Sequence, residues 1–310
     1  MRDLIVVEGT NASGKSALGV RLAKALDGEI VSADSRQVFR GLDLGSGKIT
    51  ESEMDGVRHH LLDVAEPGDF FSMADFQRLA YAAIEEISDR GKQPFLVGGT
   101  GLYVDSVADG YCLSDKTPDL AYRAELEKKT TPELYDMLTA LLPGYAVDRN
   151  NRNRVMRVLE KHHDGDLERP GKQPRYRVLR LGVTWDRETL KKRIDERLER
   201  RLAQGMVEEV RGLMDAGVDP QFLEGLGLEY RYLKRYLTGE MEYETMKTEL
   251  ALAIKRFARR QMTWFRRHPD VVWLDMTGDP YAQAMRAIED FKRSGRETRE
   301  AGEAAKEPTA

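Results

Sequence analysis

Eight consecutive residues carry the most chemistry in this chain: Gly9-Thr10-Asn11-Ala12-Ser13-Gly14-Lys15-Ser16. They satisfy the P-loop pattern G-x-x-x-x-G-K-[ST], and each residue type has a physical purpose there. Glycines let the backbone curl until successive N–H groups point inward at an anion. A helix beginning at the end of the loop adds roughly half a positive charge at its N-terminus. Lys15 supplies a full charge, and the Ser16 hydroxyl can hold Mg²⁺ beside phosphate oxygens. A buried strand before the loop and an amphipathic helix after it separate this reading from a chance Gly-rich turn. The pattern does not say whose phosphates are bound. Nucleoside triphosphates are the default, which makes a kinase or ATPase the first thought, but a diphosphate ester fits the same cradle.

Two further residues stand where such a cradle could use them. Asp34 follows the second strand, and the carboxyl ends of parallel strands open onto one crevice. An acid at that place serves equally as a Mg²⁺ ligand, a general base or a helix cap. Thr100, within Gly98-Gly99-Thr100-Gly101-Leu102-Tyr103, could bring a hydroxyl to the same phosphates, or could simply sit in a tight strand-to-helix turn.

Basic residues cluster twice. Lys255, Arg256, Arg259, Arg260, Arg266 and Arg267 occur with no acid among them, and Arg149, Arg152, Arg154, Arg157 and Lys161 form the second group. A solvated helix face is the ordinary reading of such charge, and a nucleic-acid contact the sharper one. Net charge is −4, so the basic patches would act locally, within about a 10 Å screening length. His59 and His60 point apart on a strand and lack a third ligand, so packing is expected of them rather than metal binding. Trp264 is expected in the core.

The elements that position these groups follow from hydrophobic pattern. Short β-branched runs at 4–7, 29–32 and 94–97 read as strands buried on both faces. Helices are expected over 15–26 and 73–90, the latter opened by a capping box of Ser72 and Asp75. Strand–helix alternation of this kind gives an α/β fold, a parallel sheet flanked by helices. Further on, helices are expected near 118–142, 147–162, 187–215 and 241–268, strands at 178–185 and 271–274, and a last helix over 281–293. The expected organisation is a core over 1–195, a small helical insertion over 196–255, a return to the core over 256–293 and a disordered tail over 294–310. The 310 residues suffice for a large core, no repeat is visible, and no run approaches the roughly 20 apolar residues that cross a bilayer. No secretory pattern opens the chain, and a single cysteine, Cys112, offers neither an internal disulfide nor a zinc cluster, so a cytoplasmic setting is expected.

Loop 9–16, the 34–41 segment, His59-His60-Leu61-Leu62-Asp63, Phe71-Ser72-Met73-Ala74-Asp75-Phe76 and residues 98–103 occur in order, followed by Asn153-Arg154-Val155-Met156-Arg157-Val158-Leu159-Glu160 and Arg260-Gln261-Met262-Thr263-Trp264-Phe265. Together, over about 4–275, they resemble the tRNA dimethylallyltransferase (isopentenyltransferase) family, in its bacterial form without a zinc finger. The resemblance implies a channel through the core that takes dimethylallyl diphosphate from one side. From the other it takes a flipped adenosine, the one 3′ of the anticodon in tRNAs that read codons beginning with U. By matching position it implies that Gly9, Thr10, Asn11, Ala12, Ser13, Gly14, Lys15 and Ser16 hold the diphosphate, with Mg²⁺ at Ser16. Asp34 becomes the general base on the adenine amine and Thr100 a hydrogen-bonding partner near the breaking bond. Asp34, Ser35, Arg36, Gln37, Thr100, Arg123, Asn153, Arg154, Val155, Met156, Arg157, Arg256, Arg260 and Gln261 would touch the anticodon stem-loop of a tRNA bound by a monomer. The chain departs from the family at Thr10, where proline is usual, and at Glu229, where glycine is usual. The rivals are a prenyltransferase acting on free adenine nucleotides, which would not need the basic helices, and a small-molecule kinase. A kinase would show a second acidic motif and lid arginines. A non-catalytic RNA-binding module would have no use for the cradle and the acid at one sheet edge.

Overall fold

The computed structural model describes residues 1–113, 119–167 and 171–304. β1 (Arg2–Gly9) runs through loop 9–16 into α1 (Lys15–Ala25), then β2 (Gly28–Ala33), α2 (Glu51–Met54), β3 (His59–His60), α3 (Met73–Asp89), β4 (Gln93–Gly98) and α4 (Gly101–Ala108). A helical stretch follows with α5 (Leu120–Glu127), α6 (Thr131–Leu141) and α7 (Arg152–His163). The chain returns through β5 (Tyr176–Thr184), α8 (Arg187–Ala203), α9 (Met206–Asp215), α10 (Pro220–Leu226), α11 (Leu228–Leu237), α12 (Tyr243–Phe265), β6 (Val272–Asp275) and α13 (Pro280–Ala304).

Among the described residues the strands form one six-stranded parallel sheet in the order β3-β2-β4-β1-β5-β6. Alternation along β1 divides its side chains between two layers, as the period of two requires. Leu4 and Val6 pack with Phe76, Ile84 and Val104 of α3 and α4, while Ile5 and Val7 pack with Leu18, Leu22 and Ile288 of α1 and α13. Ser72 and Asp75 do form the expected capping box of α3, each side chain accepting the other's backbone N–H at 3.1 Å. A third apolar cluster joins α8 to α12 around Tyr230, Leu233, Met246 and Leu250, and includes Val38, Phe39 and Leu42 from the segment after β2.

The chain divides elsewhere than expected. Residues 111–173 form one compact unit, and 1–110 with 174–310 the other, so the 196–255 stretch belongs to the same unit as the sheet. Its apolar faces share a cluster with the 38–42 segment, which is why it does not separate. The 111–173 unit has its own core of Leu126, Leu134, Leu138, Val155, Met156 and Leu159, and Cys112 N–H donates to Gly171 O at 2.9 Å near its ends. The helix expected over 118–142 breaks at Lys128–Thr130, where Thr130 caps the next one; residue 118 and part of the 164–174 loop lie outside the described residues. At the other end α13 continues to Ala304 rather than stopping at 293, since Ala, Glu, Lys and Arg are good helix formers even without an apolar stripe. Residues 305–310 of the expected tail lie outside the described residues. No described helix is long and apolar enough to cross a membrane.

Candidate active site

Loop 9–16 is held open by two left-handed residues, Ala12 at φ 60° and Gly14 at φ 90°. Gly14 also has close company: a Cβ there would lie 3.2 Å from Met276 Cε. The loop is braced from outside by α8 and the end of β5. Trp185 Nε1 donates to Ser13 O at 2.8 Å and Arg193 Nε donates to Ala12 O at 2.9 Å. Because N–H and C=O oppose each other across a trans peptide, fixing Ser13 O turns the Gly14 N–H the other way. Lys15, the first residue of α1, is buried, and its Nζ donates to Thr10 O at 3.3 Å. The Ser13 hydroxyl is buried without a hydrogen-bond partner, a polar atom that a bound anion would satisfy.

Three neighbouring strand ends meet here. β4 lies between β2 and β1, so Asp34 after β2 and Thr100 after β4 stand beside the loop after β1. Asp34 is half-buried and its Oδ1 accepts the Arg36 N–H at 3.1 Å, a local turn that fixes the carboxylate. Thr100 Oγ1 accepts the Ser35 N–H at 3.0 Å, tying the β2 end to the β4 end. Lys15, Ser16, Asp34, Thr100 and Gln261 all line one cavity of about 1000 Å³. That is at the upper end of ordinary ligand pockets and leaves room for two reactants.

Much of the positive charge in this cavity comes from α8. Arg193, Arg197 and Arg201 recur every fourth residue, so they share a helix face, and all three line the cavity. Burial, reinforced by neighbouring Arg201, pushes Arg197 down to about 10. Burial likewise pushes Lys15 down to about 8, against the opposing pull of Asp34. Cations that are desolvated and crowded in this way favour a polyanion between them. Sequence reading missed the three arginines because α8 is rich in charge throughout. The available signal was their four-residue repeat beside buried Ile194 and Leu198.

Glu229, the departure noted above, is itself buried and grips two of the cavity's cations. Its Oε2 accepts from Arg36 Nη1 at 3.0 Å, and its Oε1 lies 3.5 Å from Arg201 Nη1. Two guanidiniums lie over the ring of Phe257, Arg36 at 5.9 Å and Arg260 at 5.5 Å from its centroid.

The other expected site residues sort themselves by burial. Gly9 and Thr10 lie below the cavity lining, and Thr10, 1% exposed, turns its hydroxyl to Asn11 O at 3.3 Å. Ser35 and Arg36 line the cavity; Gln37 does too, but its amide is spent on Ser32 Oγ and Gly47 O, each at 3.2 Å. On α12, Arg256 and Arg260 are exposed, whereas Gln261 faces inward and Lys255 is paired with Asp195 at 2.7 Å. In the 111–173 unit Asn153, Arg154 and Arg157 are exposed, but Val155 and Met156 are core residues of that unit. A helix turns 100° per residue, so a five-residue run cannot all face one partner. Arg123 and Arg157 both pair with buried Glu160 at 3.1 Å. His60 lies 2.7 Å from Glu29, and His59 Nδ1 2.9 Å from Val57 O. Trp264 is half-buried and donates to Asp105 at 2.8 Å.

Behind the cradle lies a buried charge cluster. Arg180 of β5 reaches Glu8 at 3.0 Å, Asp105 at 3.1 Å and Asp109 at 2.6 Å, and His268 stands 3.0 Å from Asp105. Asp105, Asp109 and His268 are near enough together to suggest metal ligands, but the Arg180 cation already binds both carboxylates. Glu8, wholly buried and with Oε1 unpartnered, is pushed up to about 8 by burial.

The IPP transferase family profile matches residues 37–268. A protein named tRNA dimethylallyltransferase 2 from Shewanella sediminis is 46% identical over 297 residues, covering 93% of this chain and 98% of its own. The tRNA dimethylallyltransferase of Anoxybacillus flavithermus is 40% identical, covering 89% of this chain and 91% of its own. Among solved structures, the full-length tRNA isopentenylpyrophosphate transferase of Bacillus halodurans superposes with a TM-score of 0.72 at 37% identity, over 99% of this chain and 100% of that one. A eukaryotic dimethylallyltransferase acting on tRNA shares the fold, with a TM-score of 0.78 at 22% identity over 95% of this chain and 80% of that one.

Proposed function

We infer the reaction from the premise that this chain belongs to the tRNA dimethylallyltransferase (IPP transferase) family. It is a transferase that adds a prenyl group to tRNA. The donor is dimethylallyl diphosphate, and the acceptor is the exocyclic N6 amine of the adenosine 3′ of the anticodon, in tRNAs that read codons beginning with U. One observation carries this reading: the Asp34 carboxylate, at the end of β2, faces the same cavity as the buried cations Lys15 and Arg197.

An exocyclic adenine amine is a weak nucleophile, so the barrier lies mainly in loosening the allylic carbon–oxygen bond. Negative charge then grows on the departing diphosphate. Lys15, Arg193, Arg197 and the Gly14 to Ser16 segment line the cavity where it would be received. Loss of one such donor costs roughly 2.7–4 kcal/mol in comparable sites. The amine nitrogen forms the new bond to the allylic carbon, and its proton passes to Asp34, a contribution on the order of 10²–10⁴ in rate. Thr100 holds Ser35, and through it the turn that carries Asp34. Flipping the adenosine out of a loop costs a few kcal/mol.

The hydroxyl of Ser16 is a hard oxygen donor lining the cavity, and it suits Mg²⁺ together with diphosphate oxygens. Bound there, Mg²⁺ would neutralise part of the charge on the leaving group. Exposed Arg256 and Arg260, with Asn153, Arg154 and Arg157, are the residues fitted to RNA phosphates. A single half-buried thiol, Cys112, suits a reducing cytoplasm.

The test is one incubation with labelled dimethylallyl diphosphate, Mg²⁺ and unmodified tRNA, beside AMP and ATP controls. Label enters tRNA, and Asp34→Ala lowers the rate at least about a hundredfold. Label in AMP, or ATP hydrolysis alone, overturns the reading. A kinase would use the same α8 arginines, and the ATP control separates it.

A further inference from the structure

Gln261 does something other than what its place in an RNA-facing segment implies. The buried residues of α12 are Met246, Leu250, Ile254, Ala258, Gln261 and Phe265, and Gln261 is the polar member of that stripe. Burying a carboxamide is costly unless both of its ends are bonded. Here both are. Oε1 accepts the Asn11 N–H at 3.0 Å, and Nε2 donates to Gly99 O at 2.8 Å.

Those two partners sit just past the point where the sheet stops. The β1–β4 ladder ends at Glu8 paired with Gly98, so the following residues, which carry the cradle on one side and Thr100 on the other, are outside the ladder. The Gln261 side chain, an amide with one donor and one acceptor end, spans the gap as an additional peptide unit would. Glycine at 99 permits this approach: a Cβ there would lie 2.8 Å from Gln261 Nε2 and 3.3 Å from Lys15 Nζ. The bridge also uses up the Asn11 amide, which is therefore not a ligand for the anion.

We propose that Gln261 is a positioning residue for prenyl transfer. It sets the separation between loop 9–16 and Thr100, and it contributes nothing direct to RNA binding. This rests on the reading of loop 9–16 as the diphosphate site. The experiment uses the full chain, with Gln261→Met, which fills similar space without the bonding groups, and Gln261→Ala. Isothermal titration with inorganic pyrophosphate and Mg²⁺ reports the cradle. Filter binding of unmodified tRNA reports the RNA surface, and steady-state assays give kcat and KM. The expected result is pyrophosphate affinity about tenfold weaker, kcat lowered by at least as much, and tRNA affinity within about twofold of the parent. Unchanged pyrophosphate affinity overturns the proposal, and so does an equal loss of both affinities, the mark of a merely structural role. If the parent protein itself binds no pyrophosphate, the diphosphate reading falls, and this inference with it.

Discussion

Replacing Glu8 by glutamine should stabilise the protein at neutral and alkaline pH and leave it nearly unchanged in acid. One guanidinium, Arg180, is shared among Glu8, Asp105 and Asp109, and the Glu8 Oε1 has no partner at all. The wholly buried carboxyl therefore keeps its proton. Burial is the main cause, Arg180 opposes it, and Glu8 rises from 4.5 to about 8. In the unfolded chain the same group ionises near 4.3. Between those values the unfolded state has released a proton that the folded state still holds, so stability falls as pH rises, by about 1.4 kcal/mol per unit. From pH 5 to pH 7 that amounts to roughly 3 kcal/mol lost by the parent and retained by Glu8→Gln, which cannot ionise. Urea unfolding at pH 5, 6, 7 and 8 measures it, with the difference between the two proteins cancelling the titrations that are not coupled to Glu8. Parallel pH profiles would refute the reasoning, as would a variant less stable than the parent at pH 8, because either means that Glu8 is an anion paired with Arg180.

Two other perturbations probe the cavity. Lys15 loses its charge above about pH 8. The ratio of pyrophosphate affinities between the parent and Lys15→Met should therefore be flat below pH 8 and shrink by up to about tenfold per unit above it; a ratio constant to pH 10 contradicts this. Gly47→Ala would place a Cβ 1.4 Å from Arg201 Nη2 and 2.3 Å from Arg197 Nη2 at a φ of +63°. Both guanidiniums must move, and kcat/KM for the donor should fall about a hundredfold while exposed Arg256 and Arg260 keep tRNA affinity near the parent's.

Loop 9–16 was legible because an anion cradle dictates residue type almost position by position, and the buried strand and helix on its flanks follow from simple apolar runs. Asp34 and Thr100 were placed by topology alone, since neighbouring parallel strands present their ends together. The arginines of α8 were not legible. A charged helix reads as solvated until something is known to cover it, and the residues that share the cavity with α8 include 34–37 and others within 254–264, far off in sequence. Gln261 was found but its bonds to Asn11 and Gly99 were not, because a segment match says nothing of which way each side chain turns. Val155 and Met156 show the same limit. The division at 111–173 was hidden for another reason: its helices have the same amphipathic pattern as those packed on the sheet, and only the tertiary contacts distinguish them.

The adjacency of β2, β4 and β1 has an evolutionary consequence. Nearly sixty residues separate the end of β2 from the start of β4, yet the strands they join lie side by side, hydrogen-bonded from Gly28–Gln93 to Ala33–Gly98. The distance from Asp34 to loop 9–16 is therefore set by the pitch of the sheet. Changes in length at exposed turns of the intervening excursion leave that distance alone, so those turns can diverge while Asp34 and loop 9–16 keep their places.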